Sequence, residues 1–328
     1  MLLTTLAAAV ALPAPAALAL SDGDTLRIVV PYRPGGGYDA QARLAAPYVE
    51  AALRAQGLPR VNVIVENVTG GAGAIATASV YAARPDGQTV LFLDPESSIW
   101  QQAIGSAPFK VERFGFIAQM SVDPMLFMVR ADLDLADFDA VVARSQTVPI
   151  LIGTAGRGGH DHIMPVIFQQ MLNEAGVPIR FDYLHLDGTA PILASMRRGE
   201  AEGALEVPSI FGPAAEAGEL VFLFDFSSDL PWPDAWDVLP LDREALAPFA
   251  SAMNYRRVFV APPGTSESDL TLLRTAFATA LADPELIARA EESRRPVVFL
   301  DGPAISAAVA LEVELAQTFA PRIGDALE

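Results

Sequence analysis

The sequence predicts an α/β protein of two lobes, with the chain crossing between them more than once. Three observations carry that expectation. An apolar strand, a glycine-rich loop and a helix recur in that order along the chain. The 328 residues, 52% hydrophobic and 19% charged, exceed one ordinary domain and can bury full cores. No stretch rich in Gly, Ser and Pro divides the chain, so two beads on a linker are not indicated.

Thr25 to Pro31 reads as a buried strand, stopped by its proline. The loop Tyr32-Arg33-Pro34-Gly35-Gly36-Gly37 follows, then a helix over Tyr38 to Ala55 that Pro47 should kink. Val61 to Asn67 is the next strand, leading through Val68-Thr69-Gly70-Gly71-Ala72-Gly73 into an Ala-rich helix ending near Ala83. Arg84 to Gly87 forms a turn and Gln88 to Leu93 a third strand, the pattern of a mostly parallel sheet.

The second half repeats the theme. Strands are expected at Pro124 to Arg130, Val148 to Gly153, Phe181 to Leu186 and Gly203 to Val207. Helices are expected at Ala136 to Ala143, after Gly159, and at Pro191 to Arg198. Arg257 to Gly264 looks like the opening strand and turn again. Helices over Glu267 to Ala282 and Pro284 to Glu292, a short strand Val297 to Leu300 and a helix from about Pro303 close the chain.

Composition excludes several functions. With 40 acidic against 22 basic residues the formal charge is -18, contrary to what phosphate-rich nucleic acid requires. The absence of Cys removes disulfides, iron–sulfur clusters, zinc–thiolate sites and thiol nucleophiles. Only His160, His162 and His185 could build a histidine metal site, and their spacing matches no zinc motif. No cofactor and no metal are expected.

Residues 1–19 read as a signal peptide: an uncharged Ala/Leu/Pro run ending in the small-x-small triplet Ala17-Leu18-Ala19. No later stretch is long and apolar enough to span a bilayer, so the expected mature protein is exported and soluble.

The chemistry concentrates in three glycine loops, Gly35 to Gly37, Gly70 to Gly73 and Gly156 to Gly159, each between a strand and a helix. Glycine lets a ligand approach the main chain, and a helix start supplies unpaired N–H donors with a partial positive charge. Such loops suit a carboxylate or phosphate even in an acidic protein. Each can also be only a tight turn. No triphosphate-binding loop occurs. Gly71-Ala-Gly73-Ala-Ile-Ala76 matches a relaxed dinucleotide fingerprint, with Asp94 at the next strand end as a candidate ribose acceptor, so an oxidoreductase stays open.

Ser97 and Ser98 lack a nucleophile elbow. The carboxylates Asp39, Asp94, Glu96, Asp187 and Glu206 have no spacing that establishes an acid/base pair. Trp232 and Trp236 read as packing anchors. Arg33 and Arg157, in loops expected on opposite lobes, would suit a ligand with two acidic ends if they face each other.

From Ile28-Val-Val-Pro31-Tyr32-Arg33-Pro34-Gly35-Gly36-Gly37-Tyr38-Asp39 onward the chain resembles the extracytoplasmic solute-binding receptors of tripartite tricarboxylate transporters. Val65-Glu66-Asn67 with Gly70 to Gly73, Ala83 to Gly87, Ile152 to His160, Val260 to Thr265 and Ala282-Asp283-Pro284 extend the resemblance to at least Pro296.

It implies a two-lobed periplasmic binding protein fold with a hinge and an interlobe ligand cleft, and no catalysis. The expected division is 20–122 plus 248–328 for one lobe and 123–247 for the other. The implied function is capture of a small mono- or dicarboxylate in the periplasm and delivery to a large and a small integral membrane subunit, by a monomer. A ligand-sensing subunit for a signalling partner remains the alternative.

By position, the resemblance assigns binding to Tyr32, Arg33, Pro34, Gly35, Gly36 and Asp39 in the first loop. The second loop adds Gly70, Gly71, Ala72 and Gly73. The opposite lobe contributes Thr154, Ala155, Gly156, Arg157, His160, His185 and Glu206. Tyr183-Leu184-His185-Leu186-Asp187-Gly188 departs from the family's Tyr-Lys-Gly stretch, losing its lysine.

Overall fold

A computed structural model of the chain describes residues 20–135, 137–225, 239 and 254–323. The segment read as a signal peptide, Trp232 and Trp236 lie outside the described residues.

The first lobe opens with β1 (Thr25–Val30), α1 (Gly37–Ala55), β2 (Asn62–Asn67), α2 (Ala74–Tyr81), β3 (Thr89–Leu93), α3 (Pro95–Ala103) and β4 (Gly115–Pro124). The second contains β5 (Leu126–Arg130), α4 (Phe138–Ser145), β6 (Ile150–Thr154), α5 (His160–Glu174), β7 (Phe181–His185), α6 (Thr189–Arg197), β8 (Gly203–Glu206), α7 (Pro208–Glu216) and β9 (Leu220–Asp225). The chain then returns to the first lobe as β10 (Asn254–Ala261), α8 (Glu267–Leu281), α9 (Pro284–Glu292), β11 (Leu300–Asp301) and α10 (Gly302–Ile323).

Two sheets result, in the orders β11-β4-β10-β3-β1-β2 and β7-β6-β8-β5-β9. Only Met125 separates β4 in one sheet from β5 in the other, so one crossing is a continuous extended segment.

The sheets are mixed, which corrects the mostly parallel expectation. β1 runs parallel to β2 and β3, and β6 parallel to β7 and β8. The return strand β10 is antiparallel to both β3 and β4, and β5 is antiparallel to β8 and β9. An apolar run announces a strand but not its direction, which follows from where the chain re-enters the sheet. The structure also adds α3, β4, α7 and β9, and shortens the last strand to two residues.

β3 is buried along its whole length. Phe92 on it stacks on Phe259 of β10 at 4.2 Å between ring centroids, and Phe259 meets Phe277 of α8 at 4.5 Å. The second lobe centres on Phe127, which stacks on Phe224 and tilts against Phe168 and Phe181. Pro47 is accommodated inside α1, which continues to Ala55.

Candidate functional site

Loops leaving the carboxyl ends of the parallel strands gather where the lobes meet, as the geometry of parallel strands requires. Two junctions form there, and they differ in kind.

The first junction encloses a cavity of about 200 Å³. Tyr32, Arg33, Pro34, Gly36, Gly37 and Tyr38 line it from the first lobe, and Asp187 to Pro191 from the second, with Tyr255 of β10 completing the wall. Gly36 caps α1 and Gly188 caps α6, neither with a side-chain hydrogen bond to the helix. Two helix starts from opposite lobes thus border one cavity. The first N–H groups of a helix have no intrahelical acceptor. Here they belong to Gly37 and Tyr38 on one side and to Thr189 and Ala190 on the other. Gly188 has φ +113°, a conformation that L side chains rarely adopt, so the strand-to-helix turn depends on glycine there.

The side-chain donors around this cavity are directed at protein partners. Tyr32 and Tyr255 both donate to Asp94 Oδ2, the latter at 2.8 Å. The Tyr38 hydroxyl donates to the Arg256 carbonyl at 2.9 Å, and Thr189 hydrogen-bonds the Glu206 carboxyl. Arg33 donates through Nε, at 2.7 Å, and Nη2 to Asp187 Oδ2, an exposed ion pair across the cavity mouth. The tyrosines therefore present rings to the cavity. Behind them Arg257, 2% exposed, lies 5.2 Å from the Tyr38 ring centroid and 5.6 Å from that of Tyr255. It pairs with Asp123 and donates to Ser121 Oγ at 3.1 Å.

The second junction is closed by protein. Gly156 and Gly159 pack on Ala72: a Cβ built on Gly156 would lie 3.3 Å from Ala72 Cβ, and one on Gly159 3.0 Å from it. The His160 N–H donates to Ser97 Oγ at 2.9 Å, joining the start of α5 to that of α3. Asp94 caps α3 by accepting from the Ser97 N–H at 3.0 Å and from its hydroxyl at 2.7 Å. The carboxylate considered as a ribose acceptor is thus engaged by Ser97, Tyr32 and Tyr255. Gln101 donates to the carbonyls of Gly71 and Ala72 at 3.1 and 3.2 Å, fixing the second loop from behind.

The expected binding residues therefore divide. Tyr32, Arg33, Pro34 and Gly36 line the cavity. Asp39 is buried and accepts from the Gly35 N–H at 2.9 Å, Arg43 at 2.9 Å and Asn67 at 3.0 Å, which pins the first loop. Gly70, Gly71, Ala72 and Gly73 belong to the second loop, Ala72 itself at φ +49°. Thr154 Oγ1 is 2.8 Å from His185 Nδ1, and Ala155 donates its N–H to Asp161. Arg157 is exposed and is not among the residues that line the cavity with Arg33. His160 is buried with its ring 5.5 Å from that of Tyr255, and Glu206 is buried behind Thr189.

Burial dominates the electrostatics of this interface. It raises the Asp161 carboxyl to about 7, with Asp94 across the junction adding to the rise and the Ala155 N–H opposing it. Burial raises Glu206 well above the usual carboxylate range, with Asp161 adding again. His162 is pushed down to about 4 by burial and by neighbouring His185 and Arg157. Among the described residues no group of three or more His, Asp or Glu is arranged to hold a metal ion.

Sequence reading noted Asp187 and Gly188 but did not assign the loop from Asp187 to Ala190 to binding, although Leu186-Asp187-Gly188-Thr189 is a fourth strand–glycine–helix transition. Tyr255 carries no local signal. It reaches the site because β10 inserts beside β3.

Comparison with known proteins follows the same lines. The sequence profile described as tripartite tricarboxylate transporter family receptor matches residues 51–294. Protein BugT of Bordetella pertussis is 25% identical over 283 residues, covering 83% of this chain and 81% of that one. Among solved structures, the periplasmic binding protein BugD superposes with a TM-score of 0.75 at 19% identity, covering 92% of this chain and 98% of that one. MatC from Rhodopseudomonas palustris with bound malate gives 0.73 at 20% identity, covering 93% and 99%.

Proposed function

The chain belongs to the tripartite tricarboxylate transporter receptor family, and we propose that within it this receptor captures a small organic carboxylate between the starts of α1 and α6. It is a periplasmic solute-binding protein of a non-catalytic family. One observation carries the ligand reading: two helix N-termini, from different lobes, border one cavity whose side-chain donors already have protein acceptors. Beyond the outer edge of Arg33, what is left to offer is main-chain N–H in a partly positive field, the surroundings that a carboxylate finds favourable. The malate bound by MatC is in keeping with this chemistry.

Binding at a junction between lobes holds them together, so capture and closure become one event. Tyr32, Pro34 and Gly36 supply the wall on one side and Gly188, Thr189 and Ala190 on the other. The second and third glycine loops, with His160 and Ser97, serve as the contact that closes beside the ligand. The two closing bodies follow the division into 20–122 plus 248–328 and 123–247, with Asp123 and Pro124, the end of β4, going with the first. The partners are a large and a small integral membrane subunit, which receive the ligand from a monomeric receptor.

A thermal-shift panel of carboxylates, neutral sugars, nucleotides and amines tests the reading. Carboxylates should raise the melting temperature in proportion to the logarithm of their concentration. A rise with sugars or nucleotides alone would overturn it.

A further inference from the structure

The same cavity limits which carboxylates fit, an inference that rests on the carboxylate reading above. We propose that this receptor selects monocarboxylates with an apolar body and discriminates against dicarboxylates. Among the described residues the cavity offers one anionic end a place free of acidic neighbours, at the facing helix starts. Among the described residues Arg33 is the only Lys or Arg lining it, and its guanidinium is already bound to Asp187 through two nitrogens. A second carboxylate would have to share Arg33 with Asp187, whose like charge already sits on the guanidinium, or displace it.

It would also find the neighbouring hydroxyls taken. Asp94, which lies behind the rings, receives the hydroxyls of Tyr32 and Tyr255, and the Thr189 hydroxyl is held by Glu206. Burying an anion without a partner is strongly unfavourable. The remaining surface is apolar: the rings of Tyr32, Tyr38 and Tyr255, together with Pro34, Ala190 and Pro191. At about 200 Å³ the space is below the roughly 300–1,000 Å³ of drug-sized pockets, so the body is small, such as one ring or a short alkyl chain.

Titration calorimetry with phenylacetate, hexanoate, adipate and hexanamide tests this on the full mature chain. Phenylacetate or hexanoate should bind at least tenfold more tightly than adipate. Asp187→Ala should release Arg33 and improve adipate binding about tenfold while changing hexanoate far less. The double variant Asp187→Ala with Arg33→Ala should lose that gain. Adipate binding as tightly as both monocarboxylates in the wild type, or no gain in D187A, overturns the proposal and leaves the carboxylate reading intact. Hexanamide matching hexanoate, or none of the four binding, overturns the carboxylate reading itself and this proposal with it.

Discussion

The backbone N–H of His160 donates to Ser97 Oγ at 2.9 Å, so the first residue of α5 in one lobe is held by the first turn of α3 in the other. Ser97 passes the interaction on, donating its hydroxyl to Asp94 Oδ2 at 2.7 Å, the oxygen that also receives Tyr32 and Tyr255. The closing contact and the cavity wall therefore share one carboxylate.

Ser97→Ala removes the acceptor for His160 and one donor to Asp94. Losing a buried hydrogen-bond partner costs about 1–3 kcal/mol, or roughly 5- to 150-fold in affinity if the contact forms on closure. Calorimetry should show that weakening with the identified ligand. Thr69→Ala, at an exposed position of the second loop, should change affinity less than twofold and serves as the control.

Two glycines of the loops should respond differently to valine. Gly36 has φ -78°, and a Cβ there would meet only the Arg33 carbonyl, at 3.6 Å. Gly36→Val should therefore fold normally and weaken binding tenfold or more by occupying the cavity. Gly73 has φ +88°, with Pro31 Cβ 3.3 Å and the Tyr32 hydroxyl oxygen 3.6 Å from a built Cβ. Gly73→Val should lose about 1–3 kcal/mol of stability in urea denaturation without ligand. Equal stability of the two variants would show that the second loop tolerates side chains.

Gly159 isolates close packing from backbone strain. Its φ of -75° is open to any residue, yet an added Cβ would lie 2.9 Å from Asp161 Oδ1 and 3.0 Å from Ala72 Cβ. Gly159→Ala should force the two loops apart and cost about 1–3 kcal/mol of closure, read as weaker ligand binding with unchanged circular dichroism.

Asp161 should make stability depend on pH. Its folded pKa is about 7 against an ordinary 3.8, so the folded state holds the proton more tightly than the unfolded chain. That contribution is fully present below about pH 3.8 and is lost as pH rises towards and through 7. His162, lowered from 6.5 to about 4, acts oppositely: its contribution is present above pH 6.5 and fades as pH falls towards 4. Asp161→Asn keeps an acceptor for the Ala155 N–H and removes the first effect. Denaturation midpoints from pH 4 to 8 should fall less with rising pH in D161N than in wild type. The difference is bounded at about 1.4 kcal/mol per pH unit for one proton.

Asp123→Asn should be severely destabilising. Arg257 is 2% exposed and pairs with that carboxylate beneath the rings of Tyr38 and Tyr255. Leaving its charge uncompensated costs about 3–5 kcal/mol. The double change Asp123→Asn with Arg257→Met should recover much of the loss in urea titrations.

What the sequence determined by itself is local. Runs such as Leu26 to Val30 and Thr89 to Leu93 announce strands, and glycine after a strand with a helix behind it announces a βα loop; the first loop, legible this way, is where Tyr32, Pro34 and Gly36 line the cavity. Asp94-Pro95-Glu96 carried the N-cap signature of α3 and could have been read as a helix start. Tertiary structure decided the rest. That Arg33 meets Asp187 across 154 residues, and that Tyr255 meets Asp94 across 161, depends on where β10 inserts and how the lobes abut. Strand periodicity repeats every two residues and glycine acts on its own turn, so neither specifies strand direction, lobe contact or the partner of an arginine. Those follow from packing whole sheets and helices against one another, which left Arg33 paired with an aspartate and the helix starts facing the cavity.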